Sequence, residues 1–262
     1  MRATLRDPRC RVAEHAADNL PTTMSPVAAY VIICLSVLIG AFVQGGIGLG
    51  VGLVGSPVAA IVDPSVMPVA ILFAAVVLPL LTLATEWRHV DVRGAGIALA
   101  GRVCGTLVAV WLLAGLPPRP LGIAVGVMVL LAVGLSFSRL RIAATPATLA
   151  GAGAIAGVTG TTTSIGGPPL ALVYQDAPGP RIRATLALFF SAGNAVSLSL
   201  LGATGHITGH DVAVGLACVP CAAAGFLLAA PFRRYLDRGR TKGFVLAVVA
   251  LAGAALLVKN LG

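Results

Sequence analysis

Negative charge is what this sequence has least of. Only nine of its 262 residues are Asp or Glu, against 18 Lys and Arg, and charged residues make up 10% of the chain. A soluble domain carries about 25%. With 58% hydrophobic residues and a mean hydropathy of +0.98, this chain lacks the polar surface to cover a soluble core. Six of its carboxylates (Asp63, Glu86, Asp91, Asp176, Asp211 and Asp237) stand at the ends of apolar segments, which argues against a proton relay of buried carboxylates. Aromatics are 5% of the chain, too few to stack on bases, so the net charge of +9 implies no nucleic-acid partner. The cations sit between apolar segments, as in loops of a membrane protein. The five cysteines, Cys10, Cys34, Cys104, Cys218 and Cys221, lie mostly inside apolar segments and form no secreted disulfide framework. There is no G-x-x-x-x-G-K-[ST] phosphate loop and no recognisable nucleophile–base pair, so the sequence implies no enzyme and no cofactor. His206 and His210 have the i,i+4 spacing of metal ligands, but Gly209 at a segment boundary makes a solvated turn the expectation, and no metal is implied.

What is present is length. Apolar segments run over about 27–44, 46–62, 66–85, 94–115, 120–137, 147–163, 165–175, 184–202, 212–231 and 243–260. About 20 such residues span a hydrocarbon core, so the expectation is an all-α polytopic transmembrane bundle in the cell inner or plasma membrane, with the lipid bilayer as a partner. Residues 1–24 read as a disordered tail or as sequence upstream of a start at Met24. The transmembrane domain follows over 25–262. Residues 27–62 are one continuous apolar run, about 54 Å long as a single helix, too long for a bilayer without a break. Its middle, "GAFVQGGIGLGVGLVGSP", holds seven glycines. The second half has "GVTGTTTSIGGPPLALVY" at 157–174, where Pro168 and Pro169 interrupt any helical ladder.

These two stretches suggest an internal repeat, about 27–142 and 146–262. Gly45 and Gly48 match Gly157 and Gly160, and His89-Val90-Asp91 matches His206-Ile207-Thr208. If each Gly-rich unit is a hairpin returning to its starting side, nearly all loop cations share one side, which the positive-inside rule assigns to the cytoplasm. The halves then have inverted orientation, a recurring design of secondary transporters. Two breaks entering from opposite faces would bring backbone N–H groups to a shared central site suited to an anion; close packing of small residues is the competing explanation of the glycines.

Arg102, in "GIALAGRVCGTLVAV", is the only charge deep inside a span. A charge there costs at least about 2.5–3.5 kcal/mol and usually faces a cavity. Gln44, Gly46, Gly48 and Gly50 at the first break, and Thr161, Thr162, Thr163, Ser164, Gly166 and Gly167 at the second, are the other candidate substrate-binding residues. Their amides and hydroxyls suit three-oxygen anions. Asn194, polar in mid-span, reads as a ligand contact or as interhelical glue. Cys218-Val-Pro-Cys221 raises an alternative, a transmembrane thiol-redox relay.

The first-half motif, Gly40-Ala-Phe-Val-Gln44-Gly45-Gly-Ile-Gly48-Leu-Gly50-Val-Gly52 closing on Ser56-Pro57, and the second-half motif, Gly157-Val-Thr-Gly160 then Ile165-Gly166-Gly167-Pro168-Pro169, resemble the sulfite exporter TauE/SafE family of bacterial permeases over about 27–260. The insertion of Thr161 to Ser164 departs from the shorter first-half spacing. The resemblance implies outward transport of a small anion, sulfite or an organosulfonate.

Overall fold

The computed structural model describes residues 25–48, 50–114, 118–137, 142–232 and, near the end, 250, 251, 253–255, 257 and 258. The tail at 1–24, most of the segment at 243–260 and the cations Arg139, Arg141 and Arg238 fall outside them. Among the described residues every regular element is helical. Ser25 caps α1 (Pro26–Ile47), its Oγ accepting from the Ala28 N–H at 3.3 Å. Then come α2 (Val51–Val62), a 3-10 turn (Pro64–Val66), α3 (Val69–Ala74), α4 (Val77–Glu86) and α5 (Val92–Leu113). After α6 (Pro118–Phe137), the chain continues through α7 (Pro146–Thr163), α8 (Pro168–Val173), α9 (Gly179–Ala203) and α10 (Gly209–Ala229). Among the described residues five stretches are long and apolar enough to cross a membrane: Val27–Gly45, Val69–His89, Val92–Leu113, Gly179–Ala203 and Gly209–Ala229. The chain is thus a multi-pass membrane protein.

Both expected breaks are present. α1 stops at Gly48, whose φ of 85° is left-handed and whose N–H donates to the Gln44 carbonyl at 2.8 Å. Glycine reaches this conformation without the Cβ penalty. α7 stops at Ser164, left-handed at φ 59° and ψ 15°. A third break divides the segment at 66–85, expected as one span, into α3 and α4. Pro79 accounts for it: it has no N–H for the Ala75 carbonyl and its ring crowds that carbonyl.

In lipid no hydrophobic force draws helices together, so close backbone approach through small residues takes its place. α5 and α7 pair most closely. A Cβ on Gly101 or Gly105 would strike the Ala150 or Ala154 carbonyl, and one on Gly153 or Gly157 would strike that of Ala98 or Arg102. Neighbours rise together along both chains, so the helices are parallel. α1 and α10 form the second parallel pair, with Gly225 against Leu38 and Gly45 against Ala229. The starts of α1 and α10 and the end of α2 meet at one end, where the rings of Tyr30 and His210 lie 5.9 Å apart and His210 Nε2 is 3.6 Å from Asp63 Oδ2.

The starts of α5 and α9 meet the ends of α4 and α8 at the other end. Asp91 is the knot there. Its carboxylate accepts from the Gly94 N–H at 3.0 Å, the Tyr174 hydroxyl at 3.0 Å and Arg181 Nη2 at 3.1 Å. The Gly94 bond, helped by Tyr174 and Arg181 against an opposing burial cost, holds this carboxyl below the usual range.

Candidate functional site

The three breaks surround one cavity. Gln44, Gly50, Gly52 and Leu53 reach it from the first, Ser164 to Pro168 from the second, Leu72, Ala75 and Pro79 from the third, and Arg102, Phe190 and Asn194 from the flanking helices. It leaves about 40 Å³ for the centre of a water-sized particle, where a single water needs about 10–15 Å³.

Local sequence explains how the breaks meet. Gln44 Oε1 accepts from the Val51 N–H at 3.0 Å, so one side chain on α1 caps the start of α2. A Cβ on Gly52 would strike the Ser164 carbonyl, so α2 touches the second break directly. Ser164 Oγ donates to the Pro68 carbonyl at 3.0 Å, tying that break to the start of α3.

Arg102 sits at the cavity wall with 1% of its surface exposed. Nη2 donates to Asn194 Oδ1 at 2.9 Å. Its guanidinium carbon stands 4.8 Å from the Phe189 ring centroid and 5.9 Å from that of Phe190, cation–π range. Nε and Nη1 have no partner among the described residues, and no carboxylate pairs with this cation among them. Buried charge is normally paired, so three N–H bonds of Arg102 stand without an acceptor.

Of the residues singled out in the sequence, Gln44, Gly50, Arg102, Ser164, Gly166, Gly167 and Asn194 converge on this cavity. Gly48 lines a smaller adjoining space. Gly46 lies in the last turn of α1, where its surroundings fall outside the described residues. Thr161, Thr162 and Thr163 stand away from the cavity wall. Thr162 and Thr163 donate to carbonyls one turn back, Val158 at 2.8 Å and Thr159 at 2.7 Å. Thr161 bonds Ser197 at 2.9 Å, joining α7 to α9.

Sequence reasoning missed Gly193, Phe190 and the α3–α4 break. Pro79 was a readable signal for the break. Gly193 had none, because its partner, the Arg102 guanidinium, is distant in sequence.

The cysteines lie elsewhere. Cys34 Sγ is 3.4 Å from Cys218 Sγ between α1 and α10, and Cys104 is exposed on α5. None of the four described cysteines lines the cavity, and the redox relay finds no support.

A multi-pass helical bundle whose broken segments meet around a central cavity has the build of a membrane transport protein. A family model described as sulfite exporter TauE/SafE matches residues 32–256. The chain belongs to this family, whose members are transporters and not enzymes. Searches of curated proteins and of solved structures each gave no match.

Proposed function

We propose that the chain exports a small oxyanion, sulfite or an organosulfonate, across the inner or plasma membrane through the central cavity. The observation that carries this reading is Arg102, a buried cation at the cavity wall whose Nε and Nη1 lack partners among the described residues. Three vacant N–H donors suit an anion with several oxygens. The Gly52 and Leu53 amides in the first turn of α2 and the side chain of Gln44 add donors around the same space.

Two inverted halves, about 27–142 and 146–262, are part of this proposal. Reciprocal pairing supports it: the first helix of each half packs in parallel on a helix of the other, α1 on α10 and α7 on α5, and α10 and α5 correspond once the broken α3–α4 segment is counted as one span. Corresponding caps agree as well. Ser25-Pro26 starts α1 as Thr145-Pro146 starts α7, and Asp91 caps α5 as Thr208 caps α10. The end bearing Arg88, Arg181 and Arg183 is the cytoplasmic one on the positive-inside rule.

The test is flux in liposomes with a panel of oxyanions, combined with accessibility labelling of single cysteines introduced at Arg181 and at His206. The expected result is transport of sulfite or a sulfonate, with the two sites labelled from opposite faces. Failure to move any of these anions would remove the proposed substrate class. Labelling of both sites from one face would remove the topology.

A further inference from the structure

The cavity has an antechamber. Gln44, Pro79 and Phe190 line both the central cavity and a smaller space of about 10 Å³ beside it, close to the least that holds one water. The far wall of that space includes Arg183 and Thr82. Arg183 stands in the second turn of α9, at the end of the bundle where Glu86 and Asp91 gather. Its stem lies against the first break, and a Cβ on Gly48 would come 3.5 Å from Arg183 Cγ.

The guanidinium is engaged by Glu86. Nε lies 3.1 Å from both carboxylate oxygens, and Nη2 is 2.8 Å from Oε1. The side chains are only 19% and 13% exposed. Two oxygens held on a planar fork is also how arginine grips a sulfite or sulfonate group. The neighbouring pair, Arg181 with Asp91, ties the same helix ends together, yet it is more exposed at 52% and 22% and lines neither space. Holding the bundle end closed therefore does not by itself require an arginine facing the antechamber.

We propose that Arg183 is an anion-docking site on the route to the central cavity, and that Glu86 is a tethered carboxylate that holds this fork until an oxyanion displaces it. The exchange swaps one oxyanion for another on the same donors, so Arg183 is never left without a partner in a poorly hydrated place. The proposal rests on the central cavity being the substrate site.

Opposite signs test it. Purified protein in liposomes is assayed for initial flux of radiolabelled sulfite at subsaturating concentration, with thermal stability recorded for each variant. Arg183→Gln should lower the rate about tenfold or more, the scale of a lost charge-assisted bidentate contact. Glu86→Gln should raise it severalfold, because a tethered competitor acts at an effective concentration of about millimolar. Arg181→Gln should leave it within about twofold, as expected of an exposed pair. Arg183→Lys, which keeps the charge but loses the fork, should fall between wild type and Arg183→Gln, and it serves if the glutamine variant does not fold. Shifts of the Arg183 and Glu86 variants in the same direction, or wild-type rates with Arg183→Lys, would overturn the docking role. Wild-type protein that moves no sulfite would instead remove the substrate reading beneath it.

Discussion

Arg102→Gln should weaken sulfite binding by at least about thirtyfold while raising the thermal stability of the empty protein. The first effect follows from geometry. A bound anion would take up Nε and Nη1, and losing one member of a buried, hydrogen-bonded charge pair costs about 2–5 kcal/mol. The second follows from the empty state. There the cation is 1% exposed and, among the described residues, hydrogen-bonds only Asn194 and meets no carboxylate. A charge held in this way is a standing cost, and glutamine removes it while keeping an amide that can still bond Asn194. Binding and stability therefore move in opposite directions, the usual mark of a group retained for function. Arg102→Lys should recover part of the affinity, because it restores charge without the fork. Affinity and melting temperature in purified protein check this together. Wild-type affinity in the glutamine variant would leave the site to backbone amides and Gln44, and a lowered melting temperature would make Arg102 a structural residue.

A single methyl group should do nearly the same damage from another helix. A Cβ at Gly193 would fall on Nε, Cδ and Cζ of Arg102, so Gly193→Ala drives the guanidinium from its place between Phe189, Phe190 and Asn194. Overpacking of this kind costs about 1–3 kcal/mol, here levied on the position of the cation. Alanine favours a helix interior over glycine by about 1 kcal/mol, so α9 itself should form at least as well. The expected result is a drop in sulfite affinity of about tenfold with the bundle intact. Gly151→Ala, where a Cβ meets nothing within 4 Å, is the matched control and should bind as wild type does. Equal affinity in the two variants would mean that Arg102 has room to step aside, and Gly193 would then be a packing residue only.

The membrane class, the two main breaks and Arg102 were legible because each is a local departure from a uniform background: glycines and prolines within apolar runs, and one cation where hydrocarbon penalises charge. The glycines around the first break serve two ends. Gly48 turns the chain, whereas Gly45 lets α1 and α10 touch. Composition cannot separate those uses, because both require only the absence of a Cβ. The run from Thr161 to Thr163 lies off the cavity wall for a related reason. A threonine in a helix can satisfy its hydroxyl on its own backbone, as Thr162 and Thr163 do, and sequence does not reveal that the donor is already spent. The Arg183–Glu86 pair lay beyond reading, since its partners are joined only when α4 and α9 come together.

The cavity wall holds one fixed cation and, among the described residues, no carboxylate, and this has an electrical consequence. An empty site carries a positive charge, and a site holding a monoanion is nearly neutral. A membrane potential then acts little on the loaded protein and strongly on the empty one, at about 2.3 kcal/mol per charge for each 100 mV traversed. An interior-negative membrane would pull the vacant site back toward the cytoplasm and so drive repeated outward delivery without a second ion. Sulfite efflux from liposomes should then quicken as the interior is made more negative. Efflux indifferent to voltage would require a compensating charge to travel with the empty site.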